Sequence, residues 1–261
     1  PGWIDLHTHL TLRADARAQE LLFRMNPGDF ALFGASNART TLLAGFTTVR
    51  NLGDTDNTSI ALRNAIDAGW IAGPRIVTAG RPITGTGGHM DFSNGAAQRF
   101  AGDAGALEGI VNSVDDAYKA VRQHYKDGAD VIKVTSTGGV LTLARNADGP
   151  QMREAEIEAV VAAAHDYGMK VAAHAHGAEG MQRAIRAGVH TIEHGTHLDA
   201  ATLALMKQHG TWLVPTAGAG QHLTEQAATP GAYPEVIRRK AASIGPLALG
   251  AVAAAHRAGV R

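Results

Sequence analysis

Two histidines, His7 and His9, close the run "WIDLHTHL" with one residue between them. The run is apolar enough to read as a buried parallel strand. Side chains alternate faces along a strand, so both rings point one way, with Asp5 beside them. Two imidazoles converging on one spot are costly to bury unless something binds them, and a metal ion is the usual reason. The spacing recurs at His174 and His176 in "KVAAHAHG", and His194 ends "HTIEHG" with His197 just beyond. His124, His165, His209 and His256 fall late in helical stretches, where capping a carbonyl or meeting the helix dipole accounts for them. His190 stands at the start of its strand and reads as structural, and His222 falls in a loop. Of thirteen histidines, five or six thus gather at strand ends, the pattern of a metal site rather than of a scatter of solvated rings.

Lys133 lies mid-strand in "DVIKVTST", between Ile132 and Val134. A charged amine there needs a partner or a lowered pKa. It reads as a lysine snorkelling to the mouth of the fold, as a Schiff-base lysine, or as an amine that takes up carbon dioxide. The resulting carbamate has two oxygens that can bridge two metal ions. The chain has no cysteine, which excludes thiolate ligands, thiolate nucleophiles and disulfides alike. His89, in the glycine-rich loop "TGTGGHMDFSNGA", is a candidate donor to substrate, with an exposed loop histidine as the equal alternative. Arg50 could clamp a carboxylate, though a structural ion pair explains it better.

Such side chains need strands that end together. Strand-like runs at 3–10, 46–53, 75–83, 130–137, 170–177, 190–195 and 212–216 alternate with helical stretches, several of them closed by glycine. The helix before the second strand is expected through Asn37–Leu43. "SVDDAYKAVRQHYKDG" opens on a serine cap with an acidic first turn. A long helical region, interrupted at Pro246, runs to Gly259. Repeated βα units of this kind build a parallel sheet. The expected fold is α/β, a (β/α)8 TIM barrel that presents its site at the C-terminal strand ends. A doubly wound sheet fits less well, since no G-x-G-x-x-G follows the first strand.

A TIM barrel typically needs about 250 residues, and 261 only just suffice. Seven units account for the chain, and an eighth strand is expected to start near Val260. Residues 1–261 therefore read as one incomplete barrel domain, with no linker-like shift in composition. Hydrophobic residues make up 45% and charged residues 18%, which suits a globular chain with a sizeable core. Lysine plus arginine balance aspartate plus glutamate at 24 each, so no basic face is implied and nucleic acid is not expected as a partner. No apolar run reaches the length of a membrane span. No initiator methionine or secretory signal precedes Pro1, so something is expected to have been removed, and no compartment can be read.

With these residues in order, the sequence resembles the amidohydrolase superfamily of metal-dependent hydrolases. "PGWIDLHTHL" looks like its opening motif, "VIKV" followed by "GG" like its carboxylated-lysine strand, and "AAHAHG" and "TIEHGT" like its fifth- and sixth-strand ligand motifs. The ordered set "TTVRNLGD", "GGH", "IKV", "TGGV", "HAHG" and "IEHGT" is most similar to the branch of Xaa-Pro dipeptidases, ochratoxin-hydrolysing amidases and imidazolonepropionases. The resemblance implies His7, His9 and carboxylated Lys133 around one ion, and Lys133, His174 and His194 around a second. Two divalent ions, zinc by resemblance, are expected, or one if Lys133 is unmodified. Lys133 and His176 would serve catalysis, and His89 and His176 would contact substrate. The implied reaction is hydrolysis of an amide or peptide C–N bond in a dipeptide or N-acyl amino acid. The alternatives are a single-metal cyclic-amide hydrolase and an inactive metal-binding fragment. The resemblance also implies a homo-oligomer, a catalytic aspartate after the eighth strand and a flanking β-sandwich. The last two are not found in these residues.

Overall fold

The computed structural model of the chain describes residues 2–12, 15 and 17–261. Pro1, the first residue of the opening motif, lies outside them. The strands are β1 (Trp3–Thr8), β2 (Phe46–Asn51), β3 (Arg75–Thr78), β4 (Val131–Thr135), β5 (Lys170–Ala175), β6 (Thr191–His194) and β7 (Trp212–Val214). Between them run α1 (Ala18–Leu22), α2 (Pro27–Leu43), α3 (Thr58–Asp67), α4 (Gln98–Ala101), α5 (Val114–Asp127), α6 (Glu154–Asp166), α7 (Ala178–Arg186) and α8 (Ala200–His209). Then α9 (Ala217–Ala228), α10 (Glu235–Ile244) and α11 (Ala248–Ala258) follow β7.

The strands pair in parallel and in chain order, β1-β2-β3 and β4-β5-β6-β7. Three backbone hydrogen bonds join the two groups. Ile83 N–H donates to Lys133 O at 2.7 Å, Thr135 N–H to Ile83 O at 3.0 Å, and Asp130 N–H to Thr78 O at 2.8 Å. The third strand motif, expected to run to Ile83, thus forms a strand only to Thr78 and touches β4 again through Ile83. Beyond β7, Leu213 N–H donates to Arg261 O at 2.8 Å, so the chain leaving α11 comes back alongside β7.

The core lies where β4, β5 and β6 meet α5, α6 and α7. Ile132, Val134, Ile157, Met181, Ile185 and Ile192 are buried there against one another. Every residue of β4 is buried, which is why Lys133 is buried with them. Local chemistry starts the helices: Ser113 Oγ accepts from Asp116 N–H at 3.1 Å, and Asp199 Oδ1 from Thr202 N–H at 2.7 Å. Among the described residues, no helix is long and apolar enough to cross a membrane.

Two expectations need correction. Helix α2 begins at Pro27, ten residues before Asn37, with proline in its first turn and the Asn26 N–H donating to Asp29 Oδ2 at 2.8 Å. Its glycines obscure the helical period. Strand β1 is also less buried than an apolar run suggests: Trp3, Ile4 and Leu6 are 72%, 62% and 48% exposed. An apolar run reports a strand, but not how much of it its neighbours cover, and β1 pairs with β2 on one edge.

Candidate metal centre

Six histidines pack into one cluster at the C-terminal strand ends. Ring centroids lie 5.2 Å apart for His7 and His9, 4.8 Å for His7 and His194, 4.7 Å for His174 and His194, and 5.0 Å for His176 and His194. His174 and His176 are 4.7 Å apart, and His89 packs against His174 at 4.2 Å with the rings tilted by 32°. Lys133 shares the walls of their cavity, of about 270 Å3. The structure thus brings together every residue the sequence singled out as a ligand or substrate contact. His89 is partly buried and lines the cavity, so the exposed-loop alternative does not hold.

Hydrogen bonds set the tautomers. His7 Nδ1–H donates to the Glu193 carboxylate at 2.7 Å, and His9 Nδ1–H donates to the Gly53 carbonyl at 3.0 Å. Each Nε2 is therefore a lone pair, and the two lie 3.3 Å apart. Lone pairs facing each other repel unless a cation shares them. Two nitrogens each about 2.0–2.1 Å from one tetrahedral ion stand about 3.3–3.4 Å apart. The spacing and the donor chemistry fit a divalent ion. His174 Nε2–H donates to Gly138 O at 2.8 Å, which leaves Nδ1 as its lone pair. His194 Nδ1 bonds Thr216 Oγ1 at 2.7 Å, and His176 Nδ1 bonds Thr196 Oγ1 at 3.0 Å. As the rings stand, no three His, Asp or Glu side chains among the described residues form a ready-made cage. The cluster presents one aligned pair and further donors around it.

Electrostatics keep the donors neutral. Burial, then the charges of His7 and Lys133, hold His9 down at about 3, and burial and His197 do the same for His176, also to about 3. Burial first, and then the other rings, put His89, His174 and His194 well below the usual range. Burial and Lys133 lower His7 against the pull of Glu193. A neutral imidazole is the form that binds metal. Burial also brings Lys133 down to about 8, and its hydrogen bond to the Leu52 carbonyl is long, at 3.5 Å.

The backbone is shaped to let the rings in. A Cβ on Gly53 would come within 3.1 Å of the His9 ring, and one on Gly139 within 2.2 Å of the His89 ring. His194 and Thr216 both take left-handed backbone, with φ of +71° and +48°. A β-branched threonine there is an outlier of the kind that gathers at functional sites.

Several partners were missed from sequence. Glu193, fully buried, holds His7 with one oxygen while the other accepts from Arg50 Nη2 at 2.7 Å and bonds Thr191 Oγ1. Burial alone would raise its carboxyl; the His7 hydrogen bond and the charges of His7, Arg50 and Lys133 outweigh that and hold it below the usual range. Arg50 is thus the structural ion pair expected of it. The signal for Glu193 was available: a carboxylate inside the strand "TIEHG" is as anomalous as Lys133 in its own. His222 lies on α9 and lines the cavity, not a loop, a correction that follows from the helix after β7 folding back over the strand ends.

The amidohydrolase family pattern matches residues 1–244, and the chain belongs to that family. It is 31% identical over 183 residues to ochratoxinase from Aspergillus niger, covering 66% of this chain and 38% of that protein. A crystal structure of a Xaa-Pro dipeptidase with methionine bound in its active site matches with a TM-score of 0.96 and 46% identity, over 100% of this chain and 64% of that one. A prolidase complexed with N-methylphosphonate-L-proline matches with a TM-score of 0.86 and 31% identity, over 100% of this chain and 64% of that one. The chain therefore spans less than two thirds of the length of each of these relatives. The two structural matches agree with an α/β fold of parallel strands, similar to the TIM-barrel proteins of the family.

Proposed function

We propose that the chain carries the metal centre of a hydrolase that cleaves an amide or peptide C–N bond, in a dipeptide or an N-acyl amino acid. The facing Nε2 lone pairs of His7 and His9 are the observation that carries this reading. In it, His7, His9 and Lys133 would hold one divalent ion, and Lys133, His174 and His194 a second, zinc being the ion we propose. A divalent ion supplies water activation at neutral pH and Lewis acidity toward a carbonyl.

The chain's own residues do the rest. Lys133 amine and carbon dioxide combine to a carbamate with release of one proton. This turns a buried amine into a two-oxygen ligand and removes the cost of a buried cation. Glu193 fixes the tautomer of His7, and the Gly53 carbonyl that of His9, so both lone pairs stay on the cavity side. With the Thr196 hydroxyl donating to its Nδ1, His176 offers Nε2–H as a neutral donor to a developing oxyanion. His89, packed against His174, offers a second polar contact for the substrate. The family membership, and relatives named as a dipeptidase, a prolidase and ochratoxinase, support this class of substrate.

The experiment is a hydrolysis panel with the full-length protein: Xaa-Pro dipeptides, N-acyl amino acids and a cyclic amide, each followed by release of free amine. Turnover of a linear amide supports the reading, and turnover confined to the cyclic amide would overturn it.

A further inference from the structure

A second cavity, of about 220 Å3, opens beside the histidine cluster. It shares His9, His89, Met90, Leu141 and Tyr233 with the first cavity, so the two adjoin along those side chains. Its outer wall is apolar: Leu21 and Leu22 from α1, Phe30 from α2, Leu143 from the loop after β4, and Ile237 from α10. The polar residues beside them have their hydrogen bonds within the wall. The Asp91 carboxylate accepts from Gly87 N–H at 2.8 Å, Ser93 N–H at 2.9 Å and Ser93 Oγ at 2.6 Å, and Asn94 Nδ2 donates to Gly88 O at 2.6 Å. The exposed Asp15 marks its rim.

We infer that this annex is a side-chain subsite of the metal centre, and that it takes a bulky apolar group, aromatic or large aliphatic, of the substrate. The inference deepens the hydrolase reading and rests on it for the identity of the ligand as substrate. Size supports an aromatic ring, since an apolar cavity of about 150 Å3 already holds a benzene molecule. Chemistry disfavours an anionic side chain: beside walls built from Leu21, Leu22, Phe30 and Ile237, its desolvation would meet only the carboxylates of Asp15 and Asp91, of the same sign. A small side chain would leave the annex to water against apolar walls. Burial of a phenyl group there favours aromatic over methyl-bearing ligands by well over tenfold, at about 25 cal/mol per Å2 of apolar surface.

The test is calorimetric binding to the full-length protein, with three ligands that share a carboxylate head and cannot be hydrolysed: 3-phenylpropanoate, propanoate and glutarate. Wild-type protein should bind 3-phenylpropanoate at least tenfold more tightly than either of the others. Ala18→Phe, which fills the annex from α1, and Leu21→Gln, which puts an amide into its wall, should each erase most of that preference. Both should leave propanoate binding within about twofold. Equal affinity for 3-phenylpropanoate and propanoate, or no binding of any of the three, overturns the subsite. So does a preference that survives both substitutions. The same preparations assayed for amide hydrolysis separate the two readings. Selective binding without turnover of any amide sinks the hydrolase reading alone, and turnover without side-chain preference sinks the subsite alone.

Discussion

His194 and Thr216 hold each other by a 2.7 Å hydrogen bond while both sit in left-handed backbone. Neither residue favours that conformation, so the pair keeps a strained turn at the ends of β6 and β7 to orient one ring. Thr216→Gly removes both the strain and the bond. We expect the variant to unfold at equal or higher denaturant, gaining up to about 1 kcal/mol from the relaxed backbone. It should bind divalent metal about 10- to 100-fold more weakly, because the His194 ring loses its anchor. Urea melts and metal titration of the same sample check the two signs. A loss of stability with unchanged metal affinity would show the turn to be structural only.

Lys133 has a different role to test. Lys133→Ala should lose metal and hydrolysis together, and a short carboxylic acid such as propionate, diffusing into the space, should restore part of both. The carboxylate supplies the two oxygens the carbamate would have provided. Metal content and turnover with and without the acid are the readout. A variant that keeps its metal and normal turnover rules out the bridging ligand.

Lys240 anchors the loop that positions two of the histidines. From α10 its ammonium donates to Gly139 O at 2.8 Å, Thr142 O at 2.7 Å and Ala144 O at 2.7 Å. That loop carries Gly138 O, the acceptor for His174, and Thr142 Oγ1, 3.4 Å from His89 Nδ1. Lys240→Met leaves three carbonyls short of a donor, at a cost of about 1–3 kcal/mol. Limited proteolysis should then cut within residues 139–145, where the wild-type protein resists. Identical cleavage patterns would mean the loop holds without the lysine.

Acid should destabilise the metal-free protein. An unfolded imidazole titrates near 6.5, whereas His9 and His176 in the fold stay neutral down to about 3. Between those values the unfolded chain binds more protons, so stability falls as pH drops. Glu193 works in the same direction at lower pH, since its carboxyl is held below the usual range and its contribution is lost as it protonates. Each neutral buried histidine adds a slope of about 1.4 kcal/mol per pH unit below 6.5. Urea midpoints at pH 8, 7, 6 and 5 should decline along this series, and His176→Gln should flatten the decline by about one proton's worth. A midpoint that stays level or rises on acidification contradicts the assignment of neutral rings.

Much of the site was legible because its chemistry is local in sequence. His7 and His9, or His174 and His176, share a face by strand periodicity alone, and Lys133 is conspicuous between Ile132 and Val134. The parallel order of strands follows from the alternation of short β-branched runs and helices. What the sequence could not carry were relations across long separations. Glu193 meets His7 from β6, in the other group of strands, and nothing near either residue announces the other. His222 reached the cavity because α9 folds over the strand ends, which no window around residue 222 reveals. The exposure of Trp3, Ile4 and Leu6 was likewise invisible, since periodicity reports a strand and not its neighbours.

The opposed lone pairs of His7 and His9 would be held by a metal ion in the reading proposed above. Metal content per chain after equilibrium dialysis against buffered zinc, for the full-length wild type and for His9→Gln, tests it most directly. On that reading the wild type should retain about two equivalents and the variant at most one, with Lys133 as the residue that would serve both ions. A wild type that retains no zinc, or a His9→Gln protein that retains as much as the wild type, would contradict it.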